Sequence, residues 1–278
     1  MIRLIPAGLL TVLFLCHSIH VSARTPGPFR AIAFFKGVND QAHISFVQEA
    51  NEWFGRHIDS AMYGYDTTTN WDNLNDSFLR DYQVVLFLDA RPDKPSQREA
   101  FRRYMERGGA WMGFHFAAFA LTPSLFPQDW DWYHNEFLGS GSYVSNTWRP
   151  TSAIIKMEGK GGMQTPDTFH SAPNEWYCWE KDLRKNPDIR IIASIDPRSF
   201  PLGTGPKPHE IWQEGYYPVI WTNRKYRMVY FNMGHNDIDY EGGTNRTLSK
   251  TFSASPFQAL LTLRLFLQLG DPGGSPLE

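Results

Sequence analysis

Three histidines follow predicted strands of this chain, and their side chains offer the clearest chemistry. His115 ends one apolar strand, His235 ends another, and His43 lies on the connection between the first strand and the first helix. Imidazole moves protons near neutral pH and is a common metal ligand. Because open α/β sheets bind ligands beyond the carboxyl ends of their strands, we expect His115 and His235 to be catalytic and His43 to bind substrate.

A carboxylate among aromatic residues is the next candidate. Glu175 lies in the segment Asn174-Glu175-Trp176-Tyr177, where desolvation is expected to raise its pKa and suit it to general acid or base catalysis. A solvated carboxylate at a strand end is the alternative for Glu175. The remaining candidates for binding substrate are Lys36, Tyr177, Trp221 and Asn236.

Several well-known catalytic motifs are excluded by the residues present. The turn Gly113-Phe114-His115 has the spacing of a nucleophile elbow, but it carries histidine where a hydrolase would carry serine or cysteine. His209-Glu210 is followed by glutamine at position 213, so the zinc-protease motif is absent. No cofactor is predicted and no metal ligand is assigned, although a divalent metal held by the histidines stays open as an alternative.

The aromatic content points towards a sugar as the ligand. The chain has ten Trp, twelve Tyr and twenty Phe residues. Flat aromatic faces suit the C–H groups of sugar rings, although core packing accounts for at least half of the Trp residues. The Trp residues near predicted loops and strand ends are Trp71, Trp148, Trp176, Trp212 and Trp221.

Charge and hydropathy exclude some classes of binding partner. Lys and Arg number 27 against 29 Asp and Glu, which gives a formal charge of −2 with no basic stripe. A nucleic-acid partner is therefore not expected. The apolar stretch from Leu4 to Cys16 is too short to span a membrane and resembles a signal peptide cut after Ala23. We expect a secreted or periplasmic protein with no stable membrane span.

The elements that must position these residues alternate between strand and helix. Apolar runs at residues 30–35, 82–88 and 110–115 indicate buried strands, and helical spacing is found at residues 41–57 and 96–107. Strands separated by helices favour a doubly wound, mostly parallel sheet with helices on both faces. We therefore expect residues 1–23 to be a signal peptide and residues 24–278 to form one α/β domain.

The motifs together resemble those of the ThuA-like (trehalose utilisation) family, which shares the class I glutamine amidotransferase-like fold. The resemblance runs from about Arg30 to Gly270. It is carried by His43-x-Ser45, by Gly108-Gly109 leading into Gly113-x-His115, by Asn174-Glu175-Trp176-Tyr177, by Pro218-Val219-Ile220-Trp221 and by Gly234-His235. It implies a flavodoxin-like α/β fold in which His115 replaces the amidotransferase cysteine, so glutaminase activity is not expected.

Three functions remain open at the level of sequence. The first is an exported enzyme that acts on a saccharide or keto-saccharide through histidine-based acid/base chemistry, as an isomerase or a hydrolase. The second is a glycan-binding module without catalytic activity, built on a degenerate amidotransferase-like scaffold. The third is a metal-dependent hydrolase. A saccharide or keto-saccharide is the expected ligand of the first two, and protein partners are not identified.

Overall fold

The computed structural model describes residues 29–57, 63–120, 130–147, 150–158, 166–235, 248–253, 256–271, 273–274 and 277. The predicted signal peptide, Trp148 and the candidate Asn236 lie outside the described residues. Within the described residues, no helix has the length and apolarity needed to cross a membrane.

The described residues form eleven β-strands and four α-helices. The strands are β1 (Phe29–Phe34), β2 (Tyr63–Thr68), β3 (Val84–Phe87), β4 (Ala110–Phe114), β5 (Tyr143–Asn146), β6 (Ile154–Met157), β7 (Thr168–His170), β8 (Tyr177–Trp179), β9 (Ile189–Ile195), β10 (Tyr217–Asn223) and β11 (Tyr226–Phe231). The helices are α1 (Gln41–Arg56), α2 (Asp76–Leu79), α3 (Pro95–Glu106) and α4 (Pro256–Gly270).

Nine of these strands form one mixed sheet in the order β2-β1-β3-β4-β11-β10-β9-β6-β7. The strands from β2 to β11 pair in parallel, and those from β11 to β7 pair antiparallel. The expectation of a mostly parallel sheet is therefore correct for only half of it. The turn Arg224-Lys225 joins β10 directly to β11, and so short a connection forces the two strands to be antiparallel. The strands β5 and β8 form a separate antiparallel pair.

Two apolar layers cover the sheet, one on each face. On one face, Phe46 and Phe54 of α1 and Phe266 of α4 pack against the alternate β4 residues Met112 and Phe114. The opposite face buries Trp111 of β4 with Phe101 and Tyr104 of α3. Neighbouring β4 residues thus enter different cores, which explains why the strand is apolar throughout. The parallel order β1-β3-β4-β11 brings the carboxyl ends of these strands to the same edge of the sheet, with β4 and β11 adjacent.

Candidate functional site

His115 occupies a strained turn immediately after β4. Its backbone φ is +37°, in the region that residues other than glycine seldom adopt. The carbonyl oxygen of His115 accepts a hydrogen bond of 2.8 Å from the hydroxyl of Tyr230 in the neighbouring strand β11. The imidazole lies against the ring of Tyr177, with 3.9 Å between the ring centroids, and the residue is 1% exposed. The turn therefore presents a rigidly held imidazole at the edge of the sheet.

His235 reaches the same place from the end of β11. The preceding Gly234 has φ of +131°, and a Cβ at that position would lie 2.9 Å from the Phe46 ring, so only glycine fits without strain. The amide of Gly234 donates to the side-chain oxygen of Asn174 (3.1 Å), and the amide of Glu175 donates to the carbonyl of His235 (2.9 Å). These hydrogen bonds join the segment that carries Glu175 to the segment that carries His235.

Glu175 lies between the two buried imidazoles. Its Oε2 is 3.3 Å from Nε2 of His115 and 3.3 Å from Nδ1 of His235. Its other carboxylate oxygen accepts a hydrogen bond from the side-chain amide of Asn146, whose own oxygen accepts from the hydroxyl of Tyr143. One carboxylate oxygen is therefore hydrogen-bonded to Asn146, while Oε2 faces both His115 and His235.

The electrostatics of Glu175 correct the sequence-based expectation. Burial does act to raise the pKa of this carboxyl, but the hydrogen bond with His115 and the charges of His115 and His235 outweigh burial, so the pKa falls below its usual value. The expected rise in the pKa is therefore wrong. The aromatic neighbours of Glu175 are adjacent to it in the sequence. His115 and His235 are distant in the sequence and approach Glu175 only in the folded chain.

His43 completes the group from the first turn of α1. Its ring centroid lies 4.7 Å from that of His235 and 6.3 Å from that of His115. Burial, followed by repulsion from the other two imidazoles, lowers the pKa of His43 to about 3, and burial lowers the pKa of His115 to about 4. The surroundings of both imidazoles therefore favour the neutral form over the protonated form. We refer to His43, His115, Glu175 and His235 as the histidine cluster.

Two residues that sequence reasoning did not identify as candidates border the cluster. Asp40 accepts a hydrogen bond from the amide of Ala42 at the start of α1, and its Oδ2 lies 3.5 Å from Nε2 of His235. An Asp immediately before a helix is the usual N-cap signal, which could have drawn attention to it. Asn146 is separated from Glu175 by 29 residues in the sequence, and no sequence signal links the two.

Partly exposed aromatic rings lie beside His43. The ring centroid of Phe116 is 5.1 Å from that of His43, and Phe116 stacks on Phe119 at 4.8 Å. Both phenylalanines are only partly buried. This pair offers a flat apolar surface beside the one histidine of the cluster that is not fully buried.

The predicted stacking residues are placed differently by the structure. Trp221 is completely buried on the α3 side of the sheet, where its ring nitrogen donates to the carbonyl of Leu138 (2.9 Å). A ligand-stacking role for Trp221 is therefore wrong, because the apolar residues of β10 are needed for the core. Trp176 and Trp212 are buried as well. Tyr177 does join the cluster, but as a buried support for the His115 ring.

Lys36 follows β1 and lies near the same sheet edge, yet its ammonium is directed elsewhere. Its Nζ forms a salt bridge of 2.7 Å with Asp93, and both side chains are about half exposed. The backbone amide of Lys36 donates to the buried carboxylate of Asp89 (2.7 Å). The lysine thus pairs with Asp93 and not with the histidine cluster.

Two overlapping sets of side chains could hold a cation. His115, Glu175 and His235 form one set, and Asp40, His43 and His235 form the other. Within each set, the potential ligand atoms lie within 4.8 Å of one another. The arrangement can therefore support two kinds of chemistry, proton transfer by imidazole and carboxylate or activation of an oxygen atom by a bound metal.

Comparisons with known proteins agree with the motifs. A ThuA-like protein from Bacteroides uniformis is 29% identical, with a TM-score of 0.76 over 90% of this chain and 96% of that one. A ThuA-like protein from Parabacteroides merdae is 17% identical, with a TM-score of 0.55 over 90% and 92% of the two chains, and this similarity concerns the fold. A search of curated proteins finds no match. The family profile described as trehalose utilisation (ThuA) matches residues 31–250, and the chain therefore belongs to the ThuA family.

Proposed function

We propose that this protein is an exported enzyme that acts on a saccharide or keto-saccharide at the histidine cluster. One observation carries the proposal: two buried imidazoles, from the ends of neighbouring parallel strands, face the same carboxylate oxygen of Glu175 at 3.3 Å each. Bringing two buried imidazoles and a partly buried carboxylate together is costly unless the groups are paired, and such clusters are concentrated at functional sites. Membership of a trehalose-utilisation family supports a sugar as the substrate.

The cluster has the groups that proton transfer on a sugar requires. A carboxylate accepts a proton, and a neutral imidazole can take up one proton while it releases another. On a keto-saccharide, removal of the proton next to the carbonyl together with donation of a proton to the carbonyl oxygen leads to isomerisation or elimination. His115, His235 and Glu175 would carry these transfers, and His43 would contact the sugar from the less buried side.

The scaffold supports the assignment of the site. The parallel strands follow the order β2-β1-β3-β4-β11, and this order supports the proposal of a flavodoxin-like, doubly wound arrangement in that half of the sheet. Such sheets bind ligands beyond the carboxyl ends of their strands, where the histidine cluster lies. With His115 at the elbow in place of a nucleophilic cysteine, no glutaminase activity is proposed.

A substrate screen tests the proposal. The purified protein is incubated with trehalose, with other disaccharides of glucose and with their keto forms, and the products are identified by mass spectrometry. Turnover of at least one sugar by the wild type, lost in His115→Ala and in His235→Ala but kept in His209→Ala, is the expected result. His209 is half exposed and serves as the matched control. Sugar binding without turnover would instead favour a glycan-binding module.

A further inference from the structure

We propose that His115, Glu175 and His235 bind one divalent transition-metal ion, through Nε2, Oε2 and Nδ1 respectively. This inference deepens the proposed function and rests on it only for the metal's role in turnover. The three side chains come from the turn after β4, the segment before β8 and the segment after β11. The site is therefore built from three separate parts of the fold.

The distances fit a shared ion better than direct hydrogen bonds. The two nitrogen–oxygen distances are both 3.3 Å, whereas charge-assisted hydrogen bonds between such atoms are usually about 2.7–2.9 Å. Ligand atoms bound tetrahedrally at about 2.0–2.1 Å from a zinc ion are separated by about 3.3 Å. The third side of the triangle, between the two nitrogens, is below 4.8 Å. The spacing thus matches that of ligands around one metal ion.

Burial adds an independent observation. Both ring nitrogens of His115 are inaccessible to solvent, and the contact of its Nε2 with Oε2 of Glu175, at 3.3 Å, is longer than a usual charge-assisted hydrogen bond. Buried polar atoms in folded proteins are almost always satisfied by a partner. A metal ion between His115 and Glu175 would give Nε2 a more closely bound partner and would offset the charge of the carboxylate.

The groups around the three ligands have the roles of an outer ligand shell. Nε2 of His235 faces the Asp40 carboxylate at 3.5 Å, as in the carboxylate–histidine–metal arrangement found at many zinc sites. Asn146 donates to the other oxygen of Glu175, which leaves Oε2 for the ion. The Tyr177 ring fixes the plane of the His115 imidazole. Each ligand is thus oriented by a second residue.

The ligand types select the class of metal and its role. Two imidazoles and one carboxylate suit Zn²⁺ or a similar transition-metal ion, whereas Ca²⁺ and Mg²⁺ prefer oxygen ligands throughout. Three protein ligands leave a fourth position open for an oxygen atom of the substrate, as in catalytic zinc sites. The ion would polarise that oxygen. With these three side chains bound to the ion, the proton transfer assigned to them above would fall to His43, whose ring lies 4.7 Å from that of His235.

Metal analysis of purified protein is the test. The protein is prepared without metal-affinity resin, stripped with a chelator and titrated with Zn²⁺, Co²⁺ and Mn²⁺, and bound metal is measured by mass spectrometry and calorimetry. We expect one ion per chain, with affinity reduced at least about 100-fold in His115→Ala, His235→Ala and Glu175→Gln. His43→Ala and His209→Ala should keep the ion. Equal binding by all variants, or no binding by the wild type, would overturn the metal site.

Two further measurements separate folding and function from metal binding. Asp40→Asn preserves the N-cap of α1, since Asn caps helices as well as Asp does, and it should lower metal affinity by about 10–100-fold. An unchanged affinity in this folded variant would contradict the site. Sugar turnover that persists in metal-free protein would refute a role of the metal in turnover but not the proposed function. Metal bound without any sugar turnover would refute the proposed function and leave the metal site supported.

Discussion

At the scale of single residues, the site depends on backbone conformations that few residues tolerate. His115 has a positive φ, which costs of the order of 1–3 kcal/mol and must be offset by the packing around it. Gly234 allows the chain to pass the Phe46 ring before it reaches His235. Both positions need a backbone conformation that most residues do not tolerate, and both deliver a site residue, as a functional constraint would produce.

Gly234→Ala is expected to destabilise the fold by roughly 1–3 kcal/mol. The new Cβ would require a positive φ and would lie 2.9 Å from the Phe46 ring. Gly55→Ala is the matched control, because this exposed glycine of α1 has no atom within 4 Å of an added Cβ and helix propensity favours alanine. Urea unfolding measures both. Equal unfolding free energies for the two variants would contradict the close approach at Gly234.

Asn146→Ala is expected to lower kcat by about 10–100-fold with little loss of stability. Asn146 donates to Glu175 and accepts from Tyr143, so its removal leaves the carboxylate free to rotate away from the histidines. Steady-state kinetics on the substrate found in the screen measures the change. Asn135→Ala, which removes an exposed amide paired with Asp131, is the control. An unchanged kcat in Asn146→Ala would show that Glu175 needs no such support.

At the scale of elements, α1 connects the site to the rest of the fold. Asp40 caps its N-terminus, His43 lies in its first turn and Glu49 lies in its middle. The carboxylate of Glu49 accepts hydrogen bonds from the amides of Thr251 (2.9 Å) and Phe252 (3.0 Å). Because α1 holds the segment before α4 in this way, the position of His43 depends on a contact that spans most of the chain.

Glu49→Ala is expected to lower the unfolding free energy by about 2–3 kcal/mol, because it leaves the two amides without their charged acceptor. Glu52→Ala, also on α1, removes only an exposed ion pair with Arg56 and should cost less than about 1 kcal/mol. Chemical denaturation of both variants provides the comparison. Similar losses in the two variants would show that the Glu49 contact does not hold α1 to the 249–253 segment.

The contact between α2 and α3 gives a prediction about pH. Hydrogen bonds from Arg103 and Arg107 lower the pKa of Asp76 to about 2. A folded-state pKa below the unfolded value of about 4 means that the ion pairs stabilise the fold above pH 4, and that this contribution disappears as the pH falls through 2. Asp76 is 40% exposed, so screening limits the contribution to less than about 1 kcal/mol.

Asp76→Asn should therefore lower stability at pH 7 and differ less from the wild type as the pH approaches 2. Urea denaturation at pH 7, 4 and 3 follows the difference. Asp81→Asn removes the same charge from an exposed position nearby and is the control. A difference between Asp76→Asn and the wild type that does not depend on pH would show that the ion pairs are not its cause.

At the scale of the whole molecule, the sequence predicts what depends on local pattern. The buried runs of β1, β3 and β4 and the helices α1 and α3 follow from apolar spacing. The proximity of His115 and His235 follows as well, because both end parallel strands. The antiparallel direction of the other half of the sheet was not predicted, because the apolar pattern of a strand does not determine the direction in which it pairs with its neighbour.

Other parts of the site could not be predicted because they depend on tertiary contacts. Trp221 is buried because the face of β10 on which it lies is covered by the core. The sequence does not show which face is covered, so a buried and an exposed Trp near a strand end cannot be told apart from the sequence. The lowered pKa of Glu175 comes from imidazoles supplied by β4 and β11. The pairing of Asn146 with Glu175 requires β5 to align with β8. Sequence pattern thus identified most of the reactive side chains but not their surroundings.

Kinetics of Glu175→Gln test the central claim most directly, because the substitution keeps the shape of the side chain and removes only its charge. With the substrate from the screen, we expect kcat to fall at least about 100-fold relative to the wild type, with the urea midpoint unchanged and with Glu52→Gln fully active. A Glu175→Gln enzyme that turns over the sugar within twofold of the wild type would contradict the assignment of the histidine cluster as the active centre.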